Sequence, residues 1–301
     1  LTPKELHDYR SLVGQLAWPA RQVMPQLAYH VSDLQQKTAQ ATVHDLVHAN
    51  HVLEWAKSWA TQGIRLKFLP LENNGSVNML YHAHDNNHRY NRTQQRLRRL
   101  GLGAIHDASF GGQPNHNSQT GYMVLLGSTE FWDGKQTTHL IEWKSAKIDR
   151  KVASTLAAEA NGASMAYDRS MYARAICAEI EKPLLTSDTP GRLPSWQEVC
   201  AKVPFCPGTD CKSLYDTCIK PASTTKEKRV ALDLLDVREG VEQFKSSIRW
   251  VPTDHMLVDC LTKAMHPSLL NRYMQDYKYS FKYDDQLNAT KRAAAKERKQ
   301  Q

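Results

Sequence analysis

The spacing of hydrophobic residues over the first 62 positions is that of amphipathic helices. Four apolar side chains fall on one face of the first predicted helix: Tyr9, Leu12, Val13 and Leu16. Pro19 and Pro25 are expected to break the first two helices, because proline lacks the N–H that a helix interior requires. Thr42 is a suitable N-cap for the third helix, since its hydroxyl can accept a first-turn N–H. This part of the chain therefore predicts a small helical bundle.

From residue 101 onward, strand-like segments alternate with helical ones. Four segments have the composition of strands: GAIHDASF, TGYMVLLGS, THLIEWKS and SIRWVPT. A fifth, shorter strand is expected just before Asp210. Helices are predicted over residues 149–180, 194–199, 211–219 and 226–240, and from His255 onward. The predicted fold class is α/β, with a mixed five-stranded sheet that is flanked by helices and preceded by the small helical segment.

Changes in composition divide the 301 residues into four predicted parts. These are a helical segment at 1–70, a basic polar linker or insertion at 71–100, the sheet domain at 101–280 and a basic tail at 281–301. One stretch of the sheet domain disagrees with the strand pattern. VPFCPGTD places Pro204, Pro207 and Gly208 at the short strand expected before Asp210, and proline removes a donor from the strand ladder. We therefore expect a weakened strand at this point.

Charge and apolar content limit the partners that the chain can have. The formal net charge is +8, which favours an anionic partner such as nucleic acid. No apolar run approaches the ~18 residues that a membrane-spanning helix needs, so no membrane partner is predicted. The six cysteines include no CxxC pair, which indicates reduced thiols in an intracellular protein.

Four acidic residues lie at predicted element ends or on apolar faces, where a carboxylate is costly to bury without a partner. They are Asp107, Glu159, Asp210 and Asp259. Glu159 is the most informative, because it follows Leu156 by three positions on the helix face that should pack on the sheet. Phosphodiester hydrolysis can use two Mg²⁺ ions about 4 Å apart, and Mg²⁺ prefers carboxylate oxygens. The four acids together predict a divalent-metal phosphodiesterase, although each one alone could be an ordinary turn, helix-start or solvated acid.

Over residues 1–265 the chain resembles the C-terminal part of the Pol polyprotein of copia-type LTR retrotransposons. The resemblance rests on long motifs that include YRSLVGQLAWPARQVMPQLAYHVSDLQQ, HDASFGG, IEWKSAKIDRKVASTLAAEA, TDCKSLYD and IRWVPTDHMLVDCLTKAM. A start at Leu rather than Met is also what a piece of such a polyprotein would show. The resemblance implies that 1–70 is the end of the reverse transcriptase (thumb and connection) and that the sheet domain is an RNase H domain.

The same resemblance implies an activity, its metal and its partners. The activity is endonucleolytic cleavage of the RNA strand of RNA–DNA hybrids with Mg²⁺, or with Mn²⁺ as an alternative, and without a small-molecule cofactor. The family's catalytic metal ligands fall on Asp107, Glu159, Asp210 and Asp259. The partners would be the hybrid and the rest of Pol with its reverse transcriptase fingers and palm, in a cytoplasmic particle or the nucleus. The paired aspartates of the polymerase palm are absent from this sequence, so it is not expected to polymerise alone.

Several basic residues are candidates for binding the phosphates of nucleic acid: Lys144, Lys147, Arg89, Arg92 and Arg96. Two alternatives to an active nuclease remain open. The first is a catalytically decayed remnant of a retroelement that binds nucleic acid without cutting it. The second is a zinc peptidase, because HDLVH places His44 and His48 one helical turn apart, although Asp45 is shorter than the glutamate that such an enzyme needs.

Overall fold

The computed structural model describes residues 1–61, 63–65, 100–112, 116–181, 195–219, 227–243 and 246–282. Nearly all of the predicted linker at 71–100 and most of the predicted basic tail lie outside these ranges. The three candidate arginines Arg89, Arg92 and Arg96 lie outside them as well. The described residues therefore belong mainly to the helical segment and the sheet domain.

The N-terminal segment contains three α-helices: α1 (Pro3–Gln22), α2 (Ala28–Gln36) and α3 (Val43–Trp59). Thr42 caps α3 as predicted, since its hydroxyl accepts the Asp45 N–H and the Asp45 carboxylate accepts the Thr42 N–H. The prediction that Pro19 breaks the first helix is wrong. Pro19 lies inside the last turn of α1, where its carbonyl accepts the N–H groups of Val23 and Met24. A proline so close to a helix end removes one hydrogen bond without ending the helix early.

A mixed sheet forms the centre of the larger domain. Its strands are β1 (Leu100–Ser109), β2 (Gln119–Ser128), β3 (Gln136–Lys147), β4 (Phe205–Thr209), β5 (Arg249–Trp250) and β6 (Lys278–Tyr279). They lie in the order β5-β4-β1-β2-β3-β6. The pairs β1–β2, β2–β3 and β3–β6 are antiparallel, whereas β1–β4 and β4–β5 are parallel. The predicted mixed α/β sheet is confirmed, and the predicted number of five strands is corrected to six by the short strand β6.

Helices cover both faces of this sheet. They are α4 (Thr155–Glu181), α5 (Trp196–Cys200), α6 (Lys212–Ile219), α7 (Lys228–Gln243), α8 (Asp259–Thr262) and α9 (Ser268–Asp276). The start predicted for α4, Asp149, is wrong by six positions, because the first turn is held by the Ser154 hydroxyl accepting the Ala157 N–H. The last predicted helix is also corrected: a 3₁₀ turn at Thr253–His255 precedes the four-residue α8, and α9 is a separate helix.

The side chains of β1 alternate between the two faces of the sheet. On one face Leu102 and Ala104 pack in a core that includes Tyr167 of α4. On the other face Ile105 packs in a second core that includes Leu261 of α8. β1 therefore lies between two hydrophobic layers and is the strand best placed to hold a buried polar group.

β4 forms although Pro207 lies within it. Pro207 is paired with Ala104 of β1, and Gly208 of β4 is the first residue to pair with β5. β5 has two residues and pairs only with Gly208 and Thr209, so β4 at Pro207 lies beside β1 alone. A missing N–H is tolerated best where a strand has a free side. Pro207 therefore does not prevent the strand, since four of the five residues of β4 pair with β1; the expectation that it weakens the strand stays a prediction.

The helical segment packs directly on the sheet domain. The indole N–H of Trp143 on β3 donates to the Ala20 carbonyl of α1 at 2.7 Å. The Gln119 amide of β2 donates to the Ser32 hydroxyl of α2 at 2.9 Å. These two contacts join α1 to β3 and α2 to β2.

None of the helices in the described part of the chain is both long enough and apolar enough to cross a membrane. All six cysteines are free thiols, as the sequence predicts.

Candidate active site

Asp107 lies within β1 and is buried, with 4% of its surface exposed. By strand alternation its side chain shares the face of Ile105, which is the face covered by α8. Two groups from the end of α8 contact the same carboxylate oxygen. The Thr262 hydroxyl donates a hydrogen bond to Asp107 Oδ2, and Lys263 Nζ lies 3.1 Å from that atom. The prediction that Asp107 lies in a strand is confirmed.

Asp259 is the first residue of α8, and its carboxylate reaches the same lysine. Lys263 Nζ donates to Asp259 Oδ1 at 2.6 Å, so one ammonium bridges Asp107 and Asp259. Burial lowers the pKa of Lys263, but the two carboxylates outweigh burial and raise that pKa above its ordinary value. Burial raises the pKa of the Asp259 carboxyl, and the charge of Asp107 raises it further, against the hydrogen bond from Lys263.

Glu159 lies in the second turn of α4 and has 5% of its surface exposed. The prediction that it belongs to the buried face of the helix is confirmed. Its Oε2 atom lies 3.6 Å from Nδ1 of His106 and has no hydrogen-bond partner among the described residues. Burial raises the pKa of the Glu159 carboxyl, and the charges of Asp107 and Asp210 add to this effect while His106 opposes it.

Asp210 follows the last residue of β4, as predicted. Because β4 runs parallel to β1, the end of β4 lies beside the part of β1 that holds Asp107. Burial raises the pKa of the Asp210 carboxyl, and so does the charge of Asp107. A hydrogen bond from Thr253, together with the charges of Lys263 and His106, opposes that rise.

The four predicted acids therefore share one electrostatic neighbourhood centred on Asp107. The charge of Asp107 raises the pKa of each of the other three carboxyls: Glu159, Asp210 and Asp259. They do not form a ready-made metal cluster, however. In the part of the chain that the structure describes, no three His, Cys, Asp or Glu side chains are close enough to hold one metal ion.

The acids are instead divided into two contacts on opposite faces of β1. Asp107 and Asp259 are bridged by Lys263 on the α8 face, whereas Glu159 approaches His106 on the α4 face. The donors are nevertheless of the kind that suits a hard divalent cation, since all are carboxylates. One observation agrees with a cation near Glu159: its buried Oε2 atom has no hydrogen-bond partner among the described residues.

Four residues that contact the acids were not predicted as part of the site: His106, Thr253, Thr262 and Lys263. A signal for Lys263 does exist in the sequence. It follows Asp259 by four positions in DCLTK, which is the spacing of an ion pair on one helix face. The contact of Lys263 with Asp107 spans 156 positions and has no such local signal.

Lys144 and Lys147, the two described candidates for nucleic-acid contact, are both exposed on β3. Ser145 faces α8, where its hydroxyl donates to the Leu261 carbonyl. By alternation Lys147 shares the face of Ser145, and Lys144 belongs to the opposite face. The two lysines thus lie on different faces of β3, and their role in binding nucleic acid stays a prediction.

The residues of HDLVH have structural partners. Asp45 is part of the cap of α3 and lies 3.3 Å from Lys37. His48 Nε2 lies 3.3 Å from Nδ1 of His30 on α2. These contacts account for Asp45 and His48 without a zinc ion.

Comparisons with known proteins give similarities in structure but not in sequence. No protein-family model matches the chain, and no curated protein matches it. An RNase H1 from the archaeon Halobacterium salinarum is 16% identical, with a TM-score of 0.32, over 57% of this chain and 98% of the other. An N-terminal RNase H domain from Mycobacterium tuberculosis was solved as a fusion with maltose-binding protein and is 12% identical, with a TM-score of 0.31. The match covers 58% of this chain and 98% of the other.

The foamy viral protease-reverse transcriptase, solved in complex with an RNA/DNA hybrid, is also similar. It is 12% identical, with a TM-score of 0.33, and the match covers 78% of this chain and 28% of the viral one. The fold itself is established by its topology: three antiparallel strands, a parallel β1–β4 pair and helices on both faces. The fold is RNase H-like.

Proposed function

We propose that residues 101–280 form a ribonuclease H-type hydrolase that cuts the RNA strand of RNA–DNA hybrids with Mg²⁺, or with Mn²⁺ in its place. The observation that supports this proposal most is the position of Asp107. It is a buried carboxylate in the central strand of the sheet, and its charge raises the pKa of three other carboxyls. A cluster of like charges is costly when empty, and divalent cations reverse that cost.

In this proposal Asp107, Glu159 and Asp210 hold the metal, and Asp259 completes a second position. Divalent cations, when bound, supply the positive charge that activates water and stabilises the leaving oxygen. The protein's own groups orient the ligands. The Thr262 hydroxyl fixes one oxygen of Asp107, and Thr253 holds Asp210 by a hydrogen bond. Such partners set the direction of a ligand's lone pairs.

The finer assignment is to the Pol polyprotein of a copia-type LTR retrotransposon, and the motifs in the sequence support it. Residues 1–70 would be the end of the reverse transcriptase, and the contact between Trp143 and Ala20 would join it to the nuclease. The partners would be the hybrid and the remainder of Pol. An intracellular location, in a particle or the nucleus, belongs to the same proposal.

The experiment that tests this function is cleavage of an end-labelled RNA–DNA hybrid in Mg²⁺. We expect Asp107→Asn to lower the rate at least about 100-fold, as the loss of a central electrostatic group does in other hydrolases. Asp8→Asn, at an exposed position on α1, is the matched control and should cut at the wild-type rate. Equal rates for the wild type and Asp107→Asn would contradict the proposal.

A second candidate is a binding module without turnover. The bridge formed by Lys263 favours it, because an ammonium already neutralises part of the charge that a metal would neutralise. This candidate predicts binding to the hybrid that weakens as salt rises, together with no cleavage in Mg²⁺ or Mn²⁺. Cleavage that depends on Asp107 would exclude it.

A further inference from the structure

Lys263 is the residue directly after α8, and its ammonium lies between two of the predicted metal ligands. Its Nζ atom is 3.1 Å from Asp107 Oδ2 and 2.6 Å from Asp259 Oδ1. The same Asp107 oxygen also accepts the hydrogen bond of Thr262. One carboxylate oxygen on each acid is thus engaged by a cation that belongs to the chain.

A divalent ion shared by Asp107 and Asp259 would use the same space. An ammonium and a divalent cation repel each other strongly at contact distance, and more so at a partly buried site than in water. The two cations therefore exclude each other from the gap between these two acids.

The lysine is able to leave. Its side chain is 45% exposed and is attached through a flexible four-carbon stem, whereas the Asp107 side chain is 5% exposed and fixed within β1. The acids would keep their positions while the ammonium swings toward solvent.

We propose that Lys263 is an internal counter-cation that occupies the Asp107–Asp259 half of the site and must be displaced before a divalent ion binds there. This inference rests on the proposed metal-dependent function. Lys263 holds the two acids together when no divalent ion is present, and it weakens the affinity of this half for metal. Glu159 contacts His106 instead, so the exclusion concerns one half of the site.

The test is direct Mn²⁺ binding to the full chain, measured by calorimetry and by the electron paramagnetic resonance signal of free Mn²⁺. Lys263→Gln removes the competing charge, and we expect it to bind Mn²⁺ at least about tenfold more tightly than the wild type. Lys263→Arg keeps the charge and should retain the wild-type affinity. Lys135→Gln is the matched control, since Lys135 forms an exposed ion pair with Asp276 at 3.5 Å, and it should leave Mn²⁺ binding unchanged.

Thermal unfolding provides the second measurement. In EDTA, Lys263→Gln should melt below the wild type, because Asp107 and Asp259 then repel each other without a counter-charge. Addition of Mn²⁺ should raise its Tm by more than it raises that of the wild type. Both results together support the proposal, and a Lys263→Gln variant with wild-type or weaker Mn²⁺ affinity overturns it.

Asp107→Asn distinguishes failure of this inference from failure of the proposed function. Loss of Mn²⁺ binding in Asp107→Asn, combined with unchanged affinity in Lys263→Gln, would leave the metal site in place and reject the role of Lys263. Absence of Mn²⁺ binding in the wild type, Lys263→Gln and Asp107→Asn alike would reject both.

Discussion

Glu159 Oε2 and His106 Nδ1 lie 3.6 Å apart in the interior, and neither atom has a hydrogen-bond partner among the described residues. His106 is the neighbour of Asp107 in β1, so successive residues of one strand contact Glu159 on one face of the sheet and Lys263 on the other. A buried carboxylate with an incomplete set of partners is destabilising unless a cation or a proton compensates it. Burial of Glu159 therefore imposes a free-energy cost on the folded protein, which a residue with only a structural role would not impose.

The first prediction concerns that cost. Glu159→Gln should raise the free energy of unfolding by about 1 kcal/mol at pH 7 in EDTA, because a neutral amide is cheaper to bury than a carboxylate. The same variant should lose hybrid cleavage. Chemical denaturation in EDTA measures the stability, and Glu54→Gln, at an exposed position on α3, is the control that should change neither property. A less stable Glu159→Gln would show that the charge at this position is already compensated.

The second prediction concerns the hydrogen bond between Thr262 and Asp107. Thr262→Val preserves the shape of this fully buried side chain and removes its hydroxyl, so Asp107 loses the donor that fixes its orientation. We expect Mn²⁺ affinity and cleavage to fall by about tenfold, as is typical for partners of metal ligands. Thr262→Ser retains the hydroxyl and should restore both values. Equal loss in the valine and serine variants would indicate that packing, rather than the hydrogen bond, is what matters at Thr262.

The sequence was sufficient to predict those parts of the structure that local pattern determines. The cap at Thr42 depends on residues three positions apart, and the buried position of Glu159 follows from the spacing of apolar residues on α4. The apolar residues before Asp107 predict its position in a strand. Each of these inferences uses only the periodicity of one helix or one strand.

The parts that could not be predicted depend on contacts between distant segments. β6 has two residues and follows Tyr277, which has a left-handed backbone with φ of 57°, so no strand pattern marks it. The bridge from Lys263 to Asp107 depends on how α8 packs against β1. The tolerance of Pro207 depends on the length of β5, which lies about forty positions further along the chain.

The third prediction compares two glycines in helices. Gly240 of α7 faces Tyr167 of α4, and a Cβ added there would overlap the Tyr167 hydroxyl and ring. Gly14 of α1 has no atom within 4 Å of an added Cβ. Gly240→Ala should therefore destabilise the protein by about 2 kcal/mol through overpacking. Gly14→Ala should stabilise it by up to about 1 kcal/mol, the usual helix preference of alanine. Thermal unfolding of both variants tests whether α4 and α7 pack as closely as the structure shows, and a stabilised Gly240→Ala would contradict that packing.

The fourth prediction is a pH dependence of stability from His30. Burial, with the nearby His48, lowers the pKa of His30 from 6.5 to about 4, and Asp33 opposes this only in part. The unfolded chain binds a proton near pH 6.5, so the contribution of His30 is complete above that pH and is lost as pH falls through 4. The difference between the two pKa values corresponds to about 3 kcal/mol of stability.

Unfolding free energies between pH 8 and pH 4 should fall less steeply for His30→Gln than for the wild type. His51→Gln, at an exposed position on α3, should follow the wild type. Equal slopes for His30→Gln and the wild type would show that the pKa of His30 is the same in the folded and unfolded states, against its buried position between Trp55 and His48.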